Sequence, residues 1–253
     1  MDQTSSPSPV PRSSLLAPRS LLARHPWLPF VLPFVVYMLA GTLEPAPPLV
    51  VDGQTLERPN WLGFRYEHYP IVYSVKIALT VAAMLVVLSG YRQFRFRVSP
   101  LAIAVGVVGV VLWVWLCSLE FEVNFLKPLG FGGLLGLGER PAYNPLEELR
   151  ANPAWAYTFL AIRFFGLSLV VPIIEEFFLR GCVMRLVVSD RWWEWPFGDV
   201  TPLAVAAGTL VPMLMHPAEL LAAAVWFSLV TWLMVRTRNI WDCVTAHAVM
   251  NPP

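Results

Sequence analysis

Charge is what this sequence has least of. Only 14% of its 253 residues are Asp, Glu, Lys or Arg, where a water-soluble domain carries about a quarter. That deficit excludes an ordinary soluble fold. The charges nearly cancel, at a net +1, and no basic block or stripe interrupts the chain, so no nucleic-acid partner is expected. Cysteine is scarce as well. Cys117, Cys182 and Cys243 each sit inside an apolar stretch, the setting of small buried hydrophobes and not of a disulfide framework or a cysteine zinc site. No internal repeat is visible. What remains is hydrophobic, 57% of the chain, and it comes in runs, unlike the broken stripes of a soluble amphipathic helix.

Those runs predict an all-α, polytopic transmembrane bundle of about six to eight helices. Residues 1–25 are rich in Ser, Pro and Arg and predict a disordered tail, with residues 26–253 forming the membrane domain. The first apolar run starts too late, and lacks an A-x-A site after it, for a cleaved signal peptide. Spans are expected at Trp27–Leu43, Ile71–Leu88 and Leu101–Leu119, with loops at 44–69 and 120–153. Trp155–Val188 is too long for one straight span, so a kink at Pro172 or an interfacial segment is expected. Residues 203–235 read as two short helices turning near Pro217, or as one bent helix. Ile240–Met250 is too short to cross alone. Arginines cluster before the first span (Arg12, Arg19, Arg24), after the second (Arg92, Arg95, Arg97) and before the last segment (Arg236, Arg238). The positive-inside rule then places the N-terminus and the 91–98 and 236–239 turns in the cytoplasm, with the Trp192–Phe197 loop as an aromatic belt.

Ionisable groups inside a membrane segment cost about 2.5–3.5 kcal/mol each or more, so each needs a partner or a purpose. Lys76 lies near a span end and can snorkel, and Arg163 can snorkel or pair with a carboxylate. The stretch Pro172–Gly181 holds Glu175, Glu176 and Arg180. Adjacent helical glutamates point about 100° apart, which predicts different partners for the two. Glu176 and Arg180, at i and i+4 with the acid first, are placed to pair. That leaves Glu175 for other work. His216 stands in the apolar run Met213–Pro217, and His247 and Asn251 share one helix face at i and i+4. Counted at 1.5 Å per residue from the nearest polar boundaries, Glu175 lies about 15 Å deep, His216 about 20 Å, and His247 with Asn251 about 8–14 Å. One shared intramembrane polar cavity is therefore expected.

These residues resemble the motifs of the CAAX-protease and bacteriocin-processing superfamily, the group that includes the Ras-converting CAAX endopeptidase. Glu175, Glu176 and Arg180 match its E-E-x-x-x-R, and His247 with Asn251 matches its H-x-x-x-N. The middle F-x-x-x-H departs, since Pro212 replaces the Phe while His216 is kept. The resemblance covers residues 155–251, and the His-Pro-x-Glu continuation is similar to exosortase-associated members. It implies an intramembrane endopeptidase in which Glu175 and His216 activate water, while His247 and Asn251 donate to the oxyanion. Glu176 and Arg180 would hold the helix and orient Glu175. No cofactor is implied, although one Glu and two His could also ligate zinc with an open position. The implied partners are membrane lipid and a membrane-associated peptide or protein substrate, in a bacterial inner membrane if the source is bacterial. A non-catalytic immunity or scaffold relative keeps the same fold. A transporter also accommodates intramembrane Glu and His, but the chain shows no pseudo-symmetric halves.

Overall fold

The computed structural model describes residues 21–51, 54–131 and 143–251. Most of the expected N-terminal tail lies outside the described residues, and its end, Leu21–Arg24, forms a single helical turn. Apart from its connecting loops, the described chain is helical, with one short hairpin of β1 (Leu49–Val51) and β2 (Gln54–Leu56) in the first loop. The helices are α1 (Leu28–Gly41), α2 (Tyr69–Val86), α3 (Pro100–Cys117), α4 (Glu122–Phe131), α5 (Pro153–Leu186), α6 (Pro202–Met215), α7 (Leu220–Thr237) and α8 (Ile240–Met250). By length and composition, α2, α3, α5 and α7 are each able to cross a bilayer, while α1 and α6 are shorter apolar helices. The chain is an all-α membrane bundle.

Helix starts follow from a repeated local device, a polar cap followed by proline. Ser99, Asn152 and Thr201 each accept a backbone N–H from three residues on, and Pro100, Pro153 and Pro202 follow them. The cap fills an orphan donor, and proline occupies the first turn where its missing N–H costs nothing. Asn239 caps α8 without the proline, accepting the Trp241 N–H two residues on.

The long apolar stretch is one continuous helix, α5, of 34 residues, about 51 Å at 1.5 Å per residue. Proline is accommodated without breaking it. Two wide-turned stretches, Gly166–Val170 and Phe177–Val183, flank Pro172, and Val171 N–H reaches back five residues to Gly166 O. Such turns are often found where a helix carries function. The 203–235 segment does divide, into α6 and α7 with a tight turn at Pro217–Glu219 between them. The expected 120–153 loop contains α4, whose Glu122 accepts the Leu221 N–H at the start of α7. A carboxylate there meets the positive end of the helix dipole.

Three expectations about charges and aromatics change. Lys76 does not snorkel. It is buried against Glu44, with its ammonium over the rings of Tyr37 and Tyr73. Arg163 donates to a backbone carbonyl, Tyr143 O, not to a carboxylate. Of the aromatic loop, Trp192 is a core residue packed edge-on against Phe30, while Trp195 stays exposed.

α3 packs along both α7 and α8, and glycines set how closely. A Cβ on Gly109 would fall 2.2 Å from the Trp226 ring, and one on Gly106 would fall 2.7 Å from Ala246 O. Overpacking of this kind costs about 1–3 kcal/mol. Gly109→Ala is therefore expected to lower the unfolding temperature of the detergent-solubilised protein, whereas Gly63→Ala, facing open space at positive φ, should carry only a local loop penalty.

Candidate active site

α5 presents its two glutamates to different depths of the bundle. Glu176 and Arg180 are fully buried. Arg180 Nε donates to Glu176 Oε2 at 3.1 Å, and its other nitrogens donate to Gly208 O on α6 and Phe227 O on α7. A side chain at position 208 would obstruct this, since a Cβ there would stand 3.0 Å from Arg180 Nη1 and 2.6 Å from Met184 Sδ. The remaining oxygen, Glu176 Oε1, accepts from His247 Nδ1 on α8 at 2.9 Å. One buried ion pair thus ties α5, α6, α7 and α8 together.

A carboxylate only accepts, so the bond to Glu176 assigns the proton of His247 to Nδ1 and turns Nε2 outward. That Nε2 lies 3.9 Å from Glu175 Oε2. The expectation that the two glutamates have different partners is corrected here. An imidazole set between them offers one nitrogen to each, and the 100° between adjacent positions is spanned by the ring.

His216 ends α6. Its ring Nδ1 meets Pro212 O at 2.9 Å, while its backbone N–H turns to Met213 O. The side chain thereby takes the carbonyl that the next helical turn would have used. Carbonyls only accept, so Nδ1 carries the proton and Nε2 remains an acceptor. Phe227 stands between the two imidazoles, 5.4 Å from the His216 ring and 6.4 Å from that of His247, centroid to centroid.

Asn251 caps α8, and its position follows from Pro172. In the wide turn, Leu167 O looks five residues ahead for a donor, and Pro172 has no N–H to give. Asn251 Nδ2 supplies it at 3.2 Å, and Ser168 Oγ donates to Asn251 O.

Glu175, His216, His247 and Asn251 all line one cavity of about 620 Å³. Glu176 and Arg180 lie behind it. Its lining also includes two further ionisable residues, Tyr37 from α1 and Glu219 from the α6–α7 turn. The His-Pro-x-Glu run is the available signal for Glu219, because Pro217 turns the chain and brings residue 219 back beside 216. Nothing local marks Tyr37. Among the described residues, no three His, Cys, Asp or Glu side chains group as a metal ligand set.

Residues 157–252 match the family model described as Type II CAAX prenyl endopeptidase Rce1-like. Over those residues, but not over the chain as a whole, the sequence is similar to a CAAX-protease superfamily domain. That domain begins within α5 and takes in α6, α7 and α8, the elements that supply Glu175, Glu176, Arg180, His216, His247 and Asn251. The matched family is, by its description, one of endopeptidases. Comparison with curated proteins and with solved structures returns no match.

Proposed function

We propose that the chain is an intramembrane endopeptidase that hydrolyses a peptide bond in the cavity between α5, α6 and α8. The observation that carries this reading is the facing pair of Glu175 Oε2 and His247 Nε2, 3.9 Å apart. The gap is too wide for a direct hydrogen bond, and one water can contact both atoms. Glu175 takes a proton from this water as its oxygen attacks the scissile carbonyl, and later returns that proton to the leaving amine. His216, with Nδ1 held by Pro212 O, offers Nε2 to orient the water. His247, anchored by Glu176, presents Nε2 to the reacting centre and, when that nitrogen is protonated, donates to the oxyanion. An amide has two N–H donors. Asn251 uses one on Leu167 O and keeps the second for the same oxyanion.

The substrate is a membrane-associated peptide or protein. A peptide with a prenylated C-terminal cysteine motif is the first probe, from the name of the matched family. Protein in liposomes should release the C-terminal fragment, and Glu175→Gln should not. A wider test compares new peptide termini in membranes holding wild-type protein with those holding Glu175→Gln. Identical sets of termini in the two membranes would overturn the endopeptidase reading.

The water mechanism and a zinc mechanism part under chelation. The first predicts activity that survives exhaustive chelation without stoichiometric metal, and a loss of about 10²–10³ in rate for His247→Ala. Zinc-restored activity after chelation, with bound metal lost in His247→Ala, decides for the metal.

A further inference from the structure

The same helix that carries Glu175 has a second hollow on its opposite side. A groove of about 480 Å³ runs between α2 and α5, lined by Val81, Leu85 and Leu88 on one side and by Leu169, Val170 and Ile173 on the other, with Trp241 of α8 at its end. Its walls are almost wholly apolar, yet the mouth holds two arginines, Arg92 and Arg95. Both are exposed, and neither forms an ion pair among the described residues. Phe94 and Arg95 also line an adjoining polar pocket of about 330 Å³, which adds Arg97 and Arg238. Of these, Arg238 has an acid facing it among the described residues, Asp199 at 3.1 Å. An apolar channel that opens into an arginine-rimmed polar pocket matches one kind of molecule in its two parts.

We propose that this groove and pocket form a binding site for an anionic glycerophospholipid, with an acyl chain along α2 and α5 and the phosphate on Arg92 and Arg95. Any membrane lipid can bury acyl carbons in such a groove, so selection falls to the arginines. Guanidinium groups bind phosphate through paired N–H donors. The site also touches the wide turn Gly166–Val170, whose other face supplies Leu167 to Asn251 and so to the candidate active site. An occupied groove braces that turn from behind.

Trp241 permits a direct test, because brominated acyl chains quench tryptophan only at contact range. Protein is reconstituted at equal lipid fractions with brominated phosphatidylglycerol or brominated phosphatidylcholine, and the Trp241 signal is taken as wild type minus Trp241→Phe. Apparent affinity for the anionic lipid should exceed that for the zwitterionic lipid by about thirtyfold, because choline offsets the phosphate charge that the two arginines would otherwise meet. Arg92→Gln with Arg95→Gln, two exposed changes that leave the core untouched, should abolish the preference, and salt should weaken it. Equal quenching by both lipids overturns the proposal. So does a preference that persists in the double variant, or displacement of the bromolipid by a prenylated peptide and not by unbrominated phosphatidylglycerol. The readout is binding and stands whether or not the protein cleaves peptides.

Discussion

Glu175→Gln is expected to reduce peptide cleavage by about 10²–10⁴, the range for loss of a general base, with little change in the unfolding temperature. Gln keeps the shape of the side chain and its hydrogen-bonding reach but cannot take a proton from water. Glu175 faces the cavity and makes no direct hydrogen bond to His247 at 3.9 Å, so its removal leaves no buried partner stranded. The check is a single-turnover assay in liposomes beside a thermal melt of the same preparation. A variant that keeps more than about a tenth of wild-type rate, far above the range for a lost base, would remove Glu175 from that role.

Glu176→Gln should behave differently in the melt. Arg180 is fully buried and Glu176 is its carboxylate partner. Removing one member of such a pair costs about 3–5 kcal/mol, mostly the cost of a stranded charge. For a chain of this size that corresponds to a drop of about 6–20 °C. The double variant Glu176→Gln with Arg180→Met removes both charges and should recover part of the loss. Activity should fall too, because His247 Nδ1 loses its charged acceptor and with it the fixed orientation of the ring. The family resemblance implies that Glu176 and Arg180 hold the helix and orient Glu175, and the bond to His247 gives Glu176 a second side chain to orient. If Glu175→Gln and Glu176→Gln give the same melts, the division of labour between them is wrong.

Relations within one helical turn are legible in the sequence itself. The Glu176–Arg180 ion pair and the shared face of His247 and Asn251 follow from spacing of four, and the bundle follows from the apolar runs. The division of 203–235 is readable from Pro217. Relations across the bundle are not. His247 and Glu176 are 71 residues apart, and nothing in either neighbourhood encodes their meeting. Lys76 reads as a snorkelling residue because Glu44 sits in a loop whose place is fixed only when α1 and α2 pack together. Tyr37 is invisible for the same reason. Pro172 marks an irregularity by its missing donor, and the structure meets it with a wide turn whose leftover carbonyl at Leu167 goes to Asn251.

The wide turn at Gly166–Val170 is in effect one surplus residue carried inside a helix. An α-helix advances about 100° per residue, so that surplus sets the rotational phase of everything after it. Deleting one residue from Gly166–Val170 would let the segment relax to ordinary spacing. Glu175 would then turn about 100° away from the cavity relative to the first half of α5, with no catalytic side chain altered.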